Sequence, residues 1–327
     1  RKLAYGRLFL YIVVMSKKKK IPKILKEIKS KELPQVNYAF QKSISYSQFS
    51  MFRECPKKWS LQYREGHKQF TSSIHTVFGT ALHETLQEYL TVMYEKSGAE
   101  ADRLNTAELL EENLRGEYRK QYIANKKQHF SSPEELREFY EDGVEIIREI
   151  AKNRGKYFSK RGWHLVGCEI PLMVIPHPSL PNLYFQGFLD VVLYHEETNS
   201  FKIIDIKTSK SGWNQTTKKD ENKQFQLIIY KKYFSELYNV PQENIEVEFF
   251  IVKRKLYESE DFVIRRVQQF IPPSGKVKMN KVTKSLNEFI SSAFNKDGYK
   301  DVDHQPTPHN NCGWCPFHKT HLCSATF

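Results

Sequence analysis

Apolar positions recur at helical spacing through the first half of the chain. Between residues 76 and 94 they fall at Val77, Ala81, Leu82, Leu86 and Leu90, one stripe of a 3.6-residue period. Residues 104–122 repeat the stripe with Leu110, Leu114, Tyr118 and Tyr122. A third helix opens at Ser132-Pro133-Glu134-Glu135, which combines an N-cap, a proline at the first position and a Glu three residues on. Its face continues through Leu136, Phe139, Val144, Ile147 and Ala151. A shorter helix over 47–59 is broken near Pro56, which cannot donate to the preceding turn.

After residue 160 the short, β-rich pattern of strands takes over. Trp163–Val174, 182–194, 201–206, Ile245–Lys253 and 262–270 read as strands, and 224–237 and 277–294 as helices. The class is therefore α/β: a helical first half, then a mixed central sheet crossed by a helix. The organisation predicted is a tail over 1–40, a helical part over 41–160, a sheet core over 161–300 and a Cys-rich end over 301–327.

Composition narrows the class further. The chain has 327 residues, 39% of them apolar and 13% aromatic, enough for a core. No apolar run reaches the ~20 residues of a membrane helix, so no membrane association is expected. Five cysteines are too few for a disulfide scaffold of this length, which points to a reducing, cytoplasmic setting. The net charge is +13, but residues 1–40 alone carry eleven Lys or Arg against two Glu. The basic character is mostly that of a tail, compatible with a polyanionic partner. The apolar stretch 3–14 ahead of Met15 reads as upstream sequence with Met15 as the start, and lysines 17–20 as a solvated arm.

One cluster can do chemistry. Asp205 and Lys207 lie two apart on a strand, so their side chains leave the same face. Asp190 is on the preceding strand. A hairpin turn centred on Glu197-Thr198 sets it opposite Asp205, whereas a slip of one residue would put the two on opposite faces. Two carboxylates and the main-chain carbonyl of Ile206 make a hard oxygen site for Mg2+ or Mn2+. Lys207 would then orient a metal-activated water or stabilise a phosphorane transition state. The bland alternative is an ordinary surface Asp–Lys pair, since the tripeptide D-x-K is common.

The surroundings of this cluster matter. Gly79 and His83 share a helix upstream, Gly187 precedes Asp190 by three, and Gln226 and Tyr230 lie four apart on the next helix. In this order the elements resemble the PD-(D/E)XK nuclease superfamily, in particular its RecB/AddB-like branch with CRISPR-associated relatives. The resemblance covers about residues 45–323. It implies a restriction-endonuclease-like mixed sheet flanked by helices. It also implies His83, Asp190 and Asp205 as metal ligands, Lys207 as the catalytic lysine, and Gln226 and Tyr230 as groups that hold the substrate backbone or support the lysine. Glu169, one strand earlier, would back up the metal site or reach a second metal. Asp205 stands where many relatives carry Glu, and a shorter side chain shifts the metal or its preference. The plain alternatives are a helix histidine and helix packing by Tyr230.

Cys312, Cys315 and Cys323 close the chain, and Cys55 lies far upstream before Pro56. Taken alone, the trio with His309, His318 and His321 reads as a zinc knuckle and Cys55 as a buried small residue. The resemblance implies instead that all four ligate a [4Fe–4S] cluster, with Zn2+ as the alternative. Such a cluster would staple the N-terminal helix to the C-terminal segment. Cys168 is left as a core residue.

The function so implied is a metal-dependent DNA exonuclease acting on ends or single strands in recombination, repair or phage DNA processing. Its setting would be the bacterial cytoplasm, or a host cytoplasm for a phage protein. No G-x-x-x-x-G-K-[ST] loop is present, so a helicase or recombination protein would be a separate partner. No small-molecule substrate is expected. Lys57, Lys58, Lys210, Lys218 and Lys219 are candidate phosphate contacts, and 209–220 a candidate lid. The aromatics Phe49, Phe52 and Trp59 either line a strand channel or pack as core. A non-catalytic nucleic-acid-binding module and an RNA-directed nuclease stay open as rivals.

Overall fold

The computed structural model describes residues 21–38, 40–67, 72–257 and 265–323. The apolar stretch 3–14, Met15, lysines 17–20 and the start of the expected strand at 262–264 lie outside them. The chain divides into two units, 1–31 and 32–327. In the first, helix α1 (Lys23–Lys29) carries a Lys23–Glu27 ion pair at 3.3 Å.

The second unit begins with strand β1 (Lys42–Ile44). Ser45 then caps α2 (Tyr46–Glu54), its hydroxyl accepting from the Gln48 N–H. Cys55 is extended, and Pro56 restarts the chain as α3 (Pro56–Trp59). The expected stripes form α4 (Ile74–Glu95), α6 (Thr106–Ala124) and α7 (Pro133–Lys152), with short helices α5 (Gly98–Ala101) and α8 (Arg154–Tyr157) between and after them. The Ser132 hydroxyl accepts from the Glu135 N–H, as its capping sequence requires. Strands β2 (Trp163–Val174), β3 (Leu183–His195) and β4 (Ser200–Ser209) follow. Helices α9 (Gln215–Lys219) and α10 (Glu221–Tyr238) lead to β5 (Ile245–Lys253), β6 (Val267–Phe270) and α11 (Lys276–Ala293). A small hairpin of β7 (Phe294–Asn295) and β8 (Gly298–Tyr299) precedes the cysteine segment.

The sheet is mixed, in the order β1-β3-β4-β5-β6, with β2 also on β3. Strands β2 and β3, β3 and β4, and β5 and β6 are antiparallel; β1–β3 and β4–β5 are parallel. The β4–β5 pair needs a crossover, which α10 supplies. Strand β5 is buried along Val247–Val252, the signature of a strand covered on both faces. Helix α4 buries its stripe with Leu110, Phe139 and Ile147 against Val191, Ile204 and Ile206 of the sheet. On α10, Tyr233 meets Phe185 with ring centroids 4.7 Å apart and Phe234 meets Phe201 at 5.3 Å. Truncating one such side chain, Leu82→Ala for instance, removes about 2–5 kcal/mol.

Strand β3 is forked. Val191 pairs with both Cys168 and Ile204, and Phe185 with both Val174 and Ile44. Strands β1 and β4 therefore share one edge of β3, and residues 186–190 lie between them.

Of the two readings of the aromatics, core packing holds, and the candidate lid is corrected. Phe49 and Trp59 are fully buried, and with Phe52 they pack on Phe289, Phe294 and His304 rather than line a channel. Residues 209–220 are not a free lid. Part of them is α9, and Trp213 exchanges two hydrogen bonds with the Gln268 amide of β6, at 2.8 and 3.1 Å. Among the described residues no helix is long and apolar enough to cross a membrane.

Candidate active site

The fork places the carboxylates. The β3–β4 ladder runs from His195–Ser200 to Val191–Ile204, and the next position faces Asp190 toward Asp205. The ladder is not continued there by main chain. Instead Asp190 Oδ2 accepts the Ile206 N–H at 2.7 Å, so a side chain replaces a strand carbonyl. His83 Nδ1, on α4, is 3.6 Å from the same oxygen. Asp205 is 2% exposed, and Lys207 Nζ lies 2.7 Å from its Oδ2. This ion pair is the one polar contact of the buried Asp205 Oδ2 among the described residues.

Burial sets the protonation of the cluster. It pushes both carboxyls up to about 6, against the pull of Lys207. Burial also pulls the His83 imidazole down to about 4, so the ring is neutral at pH 7. Burial disfavours the Lys207 ammonium as well, but Asp205 and Asp190 outweigh it and hold its pKa above the ordinary value. A site with two buried carboxyls whose pKa values are raised, a neutral imidazole and a carboxylate oxygen held by Lys207 alone has the donor chemistry of a divalent-cation site. As placed, no three His, Cys, Asp or Glu side chains among the described residues form a ready metal cluster.

The two glycines of the motif are spacers. A Cβ on Gly79 would lie 3.3 Å from Thr208 Oγ1, so Gly79 lets α4 approach β4 one turn before His83. A Cβ on Gly187 would lie 2.9 Å from Tyr230 Cε1, so Gly187 makes room for that ring. Gln226 Nε2 donates to Tyr230 Oη across 3.4 Å. Burial raises the Tyr230 hydroxyl far above its ordinary pKa, and neighbouring Asp205 and Asp190 add to the rise. Tyr46 stands beside this group. Its hydroxyl donates to the Asn222 carbonyl and is pushed by burial to about 12.

One residue at the site is absent from the sequence reading. Gln87 lies one turn beyond His83 and is 7% exposed. Its Nε2 donates to Glu169 Oε1 at 2.6 Å and to the Asp190 main-chain oxygen at 3.1 Å. Glu169 needs this grip because its φ is +51°, a left-handed conformation inside a strand. The β2–β3 ladder passes from Cys168–Val191 to Ile170–Leu189 around it. The available signal was a polar residue four after His83 on an apolar stripe. Gln87→Leu is expected to reduce cleavage about 10- to 100-fold with little loss of fold, the usual cost of removing a group that orients a ligand. Steady-state rates at saturating Mn2+ and a melting curve check it.

The four cysteines lie around one cavity, although as placed no three of them are grouped closely enough to hold a metal ion. Cys55, Cys312, Cys315 and Cys323 line one small cavity, with Phe317, His309 and His318 on its walls. All four are free thiols. The Lys58 N–H points at Cys55 Sγ across 3.5 Å, and the His309 N–H at Cys312 Sγ across 3.4 Å. Four cysteine sulfurs around one cavity are the ligand type of a thiolate-bound metal or cluster. His321 is not among the lining residues. Cys168 lies elsewhere, beside Thr91 and Gln87, and burial pushes its thiol up to about 11.

Of the lysines named as phosphate contacts, Lys57 pairs with Asp303 at 3.0 Å and Lys58 with Glu54 at 3.5 Å. Lys218 leans over the Phe270 ring, and Lys210 and Lys219 are exposed.

A family model described as the PD-(D/E)XK nuclease superfamily matches residues 43–320, a span that contains both the carboxylate–lysine cluster and all but the last cysteine. No curated protein matches the chain. Among solved structures, a crystal structure of a "Putative exonuclease" from Eubacterium rectale superposes with a TM-score of 0.49 and 12% identity, over 89% of this chain and 94% of that one. That superposition is too loose to carry an inference.

Proposed function

The chain belongs to the PD-(D/E)XK nuclease superfamily, and on that premise we propose that it is a divalent-metal-dependent deoxyribonuclease. It works as an exonuclease on DNA ends or single strands, in recombination, repair or phage DNA processing. The observation that supports this reading is the gathering of Asp190, Asp205, Lys207 and His83 at the fork of β3. Asp190, Asp205, His83 and the Ile206 carbonyl would hold Mg2+ or Mn2+, with Glu169 behind them. When bound, such an ion supplies a lowered water pKa and neutralises phosphate charge.

The chain's own residues do the rest. Lys207, kept protonated by Asp205 and Asp190, is an ammonium that would donate to the oxygen where charge develops. His83 stays neutral and therefore able to ligate. Tyr230 keeps its proton and, steadied by Gln226, can donate to the backbone of the substrate. Water attacks phosphorus and gives up one proton to solvent, the bond from phosphorus to the leaving sugar oxygen breaks, and that oxygen takes up a proton from solvent.

Cys55, Cys312, Cys315 and Cys323 would hold a [4Fe–4S] cluster, or Zn2+ in its place, as a tie between the two ends of the unit. A partner helicase or recombination protein would supply the DNA end in the cytoplasm.

The test couples pH to metal. Both carboxyls sit near 6 without a cation, so protons compete with the ion below that pH. Single-strand digestion should rise through about pH 6 at low Mn2+, and its midpoint should fall as Mn2+ increases. Chelation should stop it. A midpoint indifferent to metal, or digestion that survives chelator, refutes the proposal.

A further inference from the structure

We propose that Phe188 is a substrate-stacking residue, which takes the face of the base next to the phosphate held at the carboxylate–lysine site. This rests on the nuclease reading above. Phe188 is 56% exposed, on a strand whose other large apolar side chains are buried. Its cross-strand partner on β2, Pro171, is exposed as well. A single exposed Phe is ordinary in a protein surface, but the register of β3 sets this one beside the chemistry.

Alternation along β3 sorts its side chains. Phe185 meets Tyr233 of α10, and a Cβ on Gly187 would meet Tyr230 of the same helix, so residues 185 and 187 face α10. Gln186 and Phe188 stand on the other face, and Asp190 follows them at the same period. Asp190 is where α4 arrives. His83 Nδ1 is 3.6 Å from its carboxyl, and Gln87 holds both its main-chain oxygen and Glu169. The β2–β3 register then steps toward the site as Met173–Gln186 and Pro171–Phe188, with Glu169 and Asp190 two positions on. Phe188 is thus one same-face step, ~7 Å along the strand, from Asp190.

The chemistry of this face selects a base. Phe188, Pro171, Met173 and Gln186 include no cation, so they offer a phenyl ring to stack on rather than a phosphate contact. One nucleotide spans the step from Asp190 to Phe188, so a strand with its phosphate at the carboxylates brings the adjoining base to the ring. A second aromatic continues the row. Tyr38 is 61% exposed, and its hydroxyl lies 2.7 and 3.1 Å from the two ends of the Gln186 amide. Stacking on exposed rings tolerates any base. A protein seated on Phe188 would lie against Asp190 and Glu169 as well, which leaves the substrate strand as the occupant.

The experiment measures, by fluorescence anisotropy, binding of a labelled twelve-residue thymidine strand to the Lys207→Ala protein, beside an abasic strand of the same length. Adding Phe188→Ala should raise the Kd for the thymidine strand about tenfold and leave that for the abasic strand unchanged. Adding Phe188→Trp instead should keep the affinity and introduce a tryptophan emission that the thymidine strand quenches. Both variants should keep the melting temperature, because the side chain is exposed. An alanine variant that binds the thymidine strand undiminished, or that loses both strands equally, overturns the stacking role. So does one whose only change is its oligomeric state in sedimentation, which would make this face an interface between copies of the chain. If the unsubstituted protein digests the thymidine strand with Mn2+ while that happens, the nuclease reading stands without the stacking role. An unsubstituted protein that neither binds nor digests the strand overturns both.

Discussion

Lys207→Ala is expected to digest single-stranded DNA at least ~10^2- to 10^3-fold more slowly than the parent, the cost of losing one preorganised donor at a developing oxyanion. It should nevertheless bind Mn2+ at least as tightly. The reason is geometric. Lys207 Nζ sits 2.7 Å from Asp205 Oδ2 and so competes with a cation for it. Folding should survive, because the carboxyls already titrate near 6 and can take up protons when the ammonium is gone. Asp205→Asn should lose both cleavage and Mn2+. Asp190→Asn keeps an acceptor for the Ile206 N–H, so its loss of cleavage separates chemistry from strand geometry. Calorimetric Mn2+ titration and strand digestion decide the matter together. A Lys207→Ala protein that cuts within tenfold of the parent removes the lysine from the reaction.

Cys55→Ser should strip the bound metal and lower the melting temperature by about 10 °C. A metal or cluster held by all four cysteines would join residues 257 apart in sequence, Cys55 to Cys312. Cross-link entropy for a loop of that length is worth about 5 kcal/mol, which converts to roughly 2 °C per kcal/mol for a unit of this size. Cys168→Ser is the control, since Cys168 lies outside the cavity and should keep metal and stability. Iron, sulfide and zinc analysis of the anaerobically purified protein distinguishes the two ligand chemistries. A Cys55→Ser protein with its metal and melting temperature intact would show that Cys55 is only a buried side chain.

What the sequence made legible was local. Strands β2 and β5 have the expected bounds, and α4, α6, α7 and α11 fall within two residues of theirs, because period and caps are short-range signals. The register of Asp190 was legible for the same reason, although the turn is four residues, 196–199, rather than two about the same centre. What stayed hidden depends on distant partners. Strand β1 has three residues and pairs with a strand some 140 positions later. The grip of Gln87 on Glu169, and the left-handed backbone it restrains, exist only once α4 lies on β2 and β3. The fork of β3 is likewise invisible, since it needs β1 and β4 on one edge.

The packing of α2 and α3 has a consequence for synthesis. Trp59 and Phe52 are covered by Phe289, Phe294 and His304, and Cys55 faces cysteines later still. At ~5–20 residues per second, about 13–50 s pass between translating Cys55 and translating Cys312. Throughout that interval the nascent chain presents an uncovered aromatic surface and an unligated thiol outside the ribosome. Any group that the four cysteines hold together can therefore be loaded only near the end of synthesis.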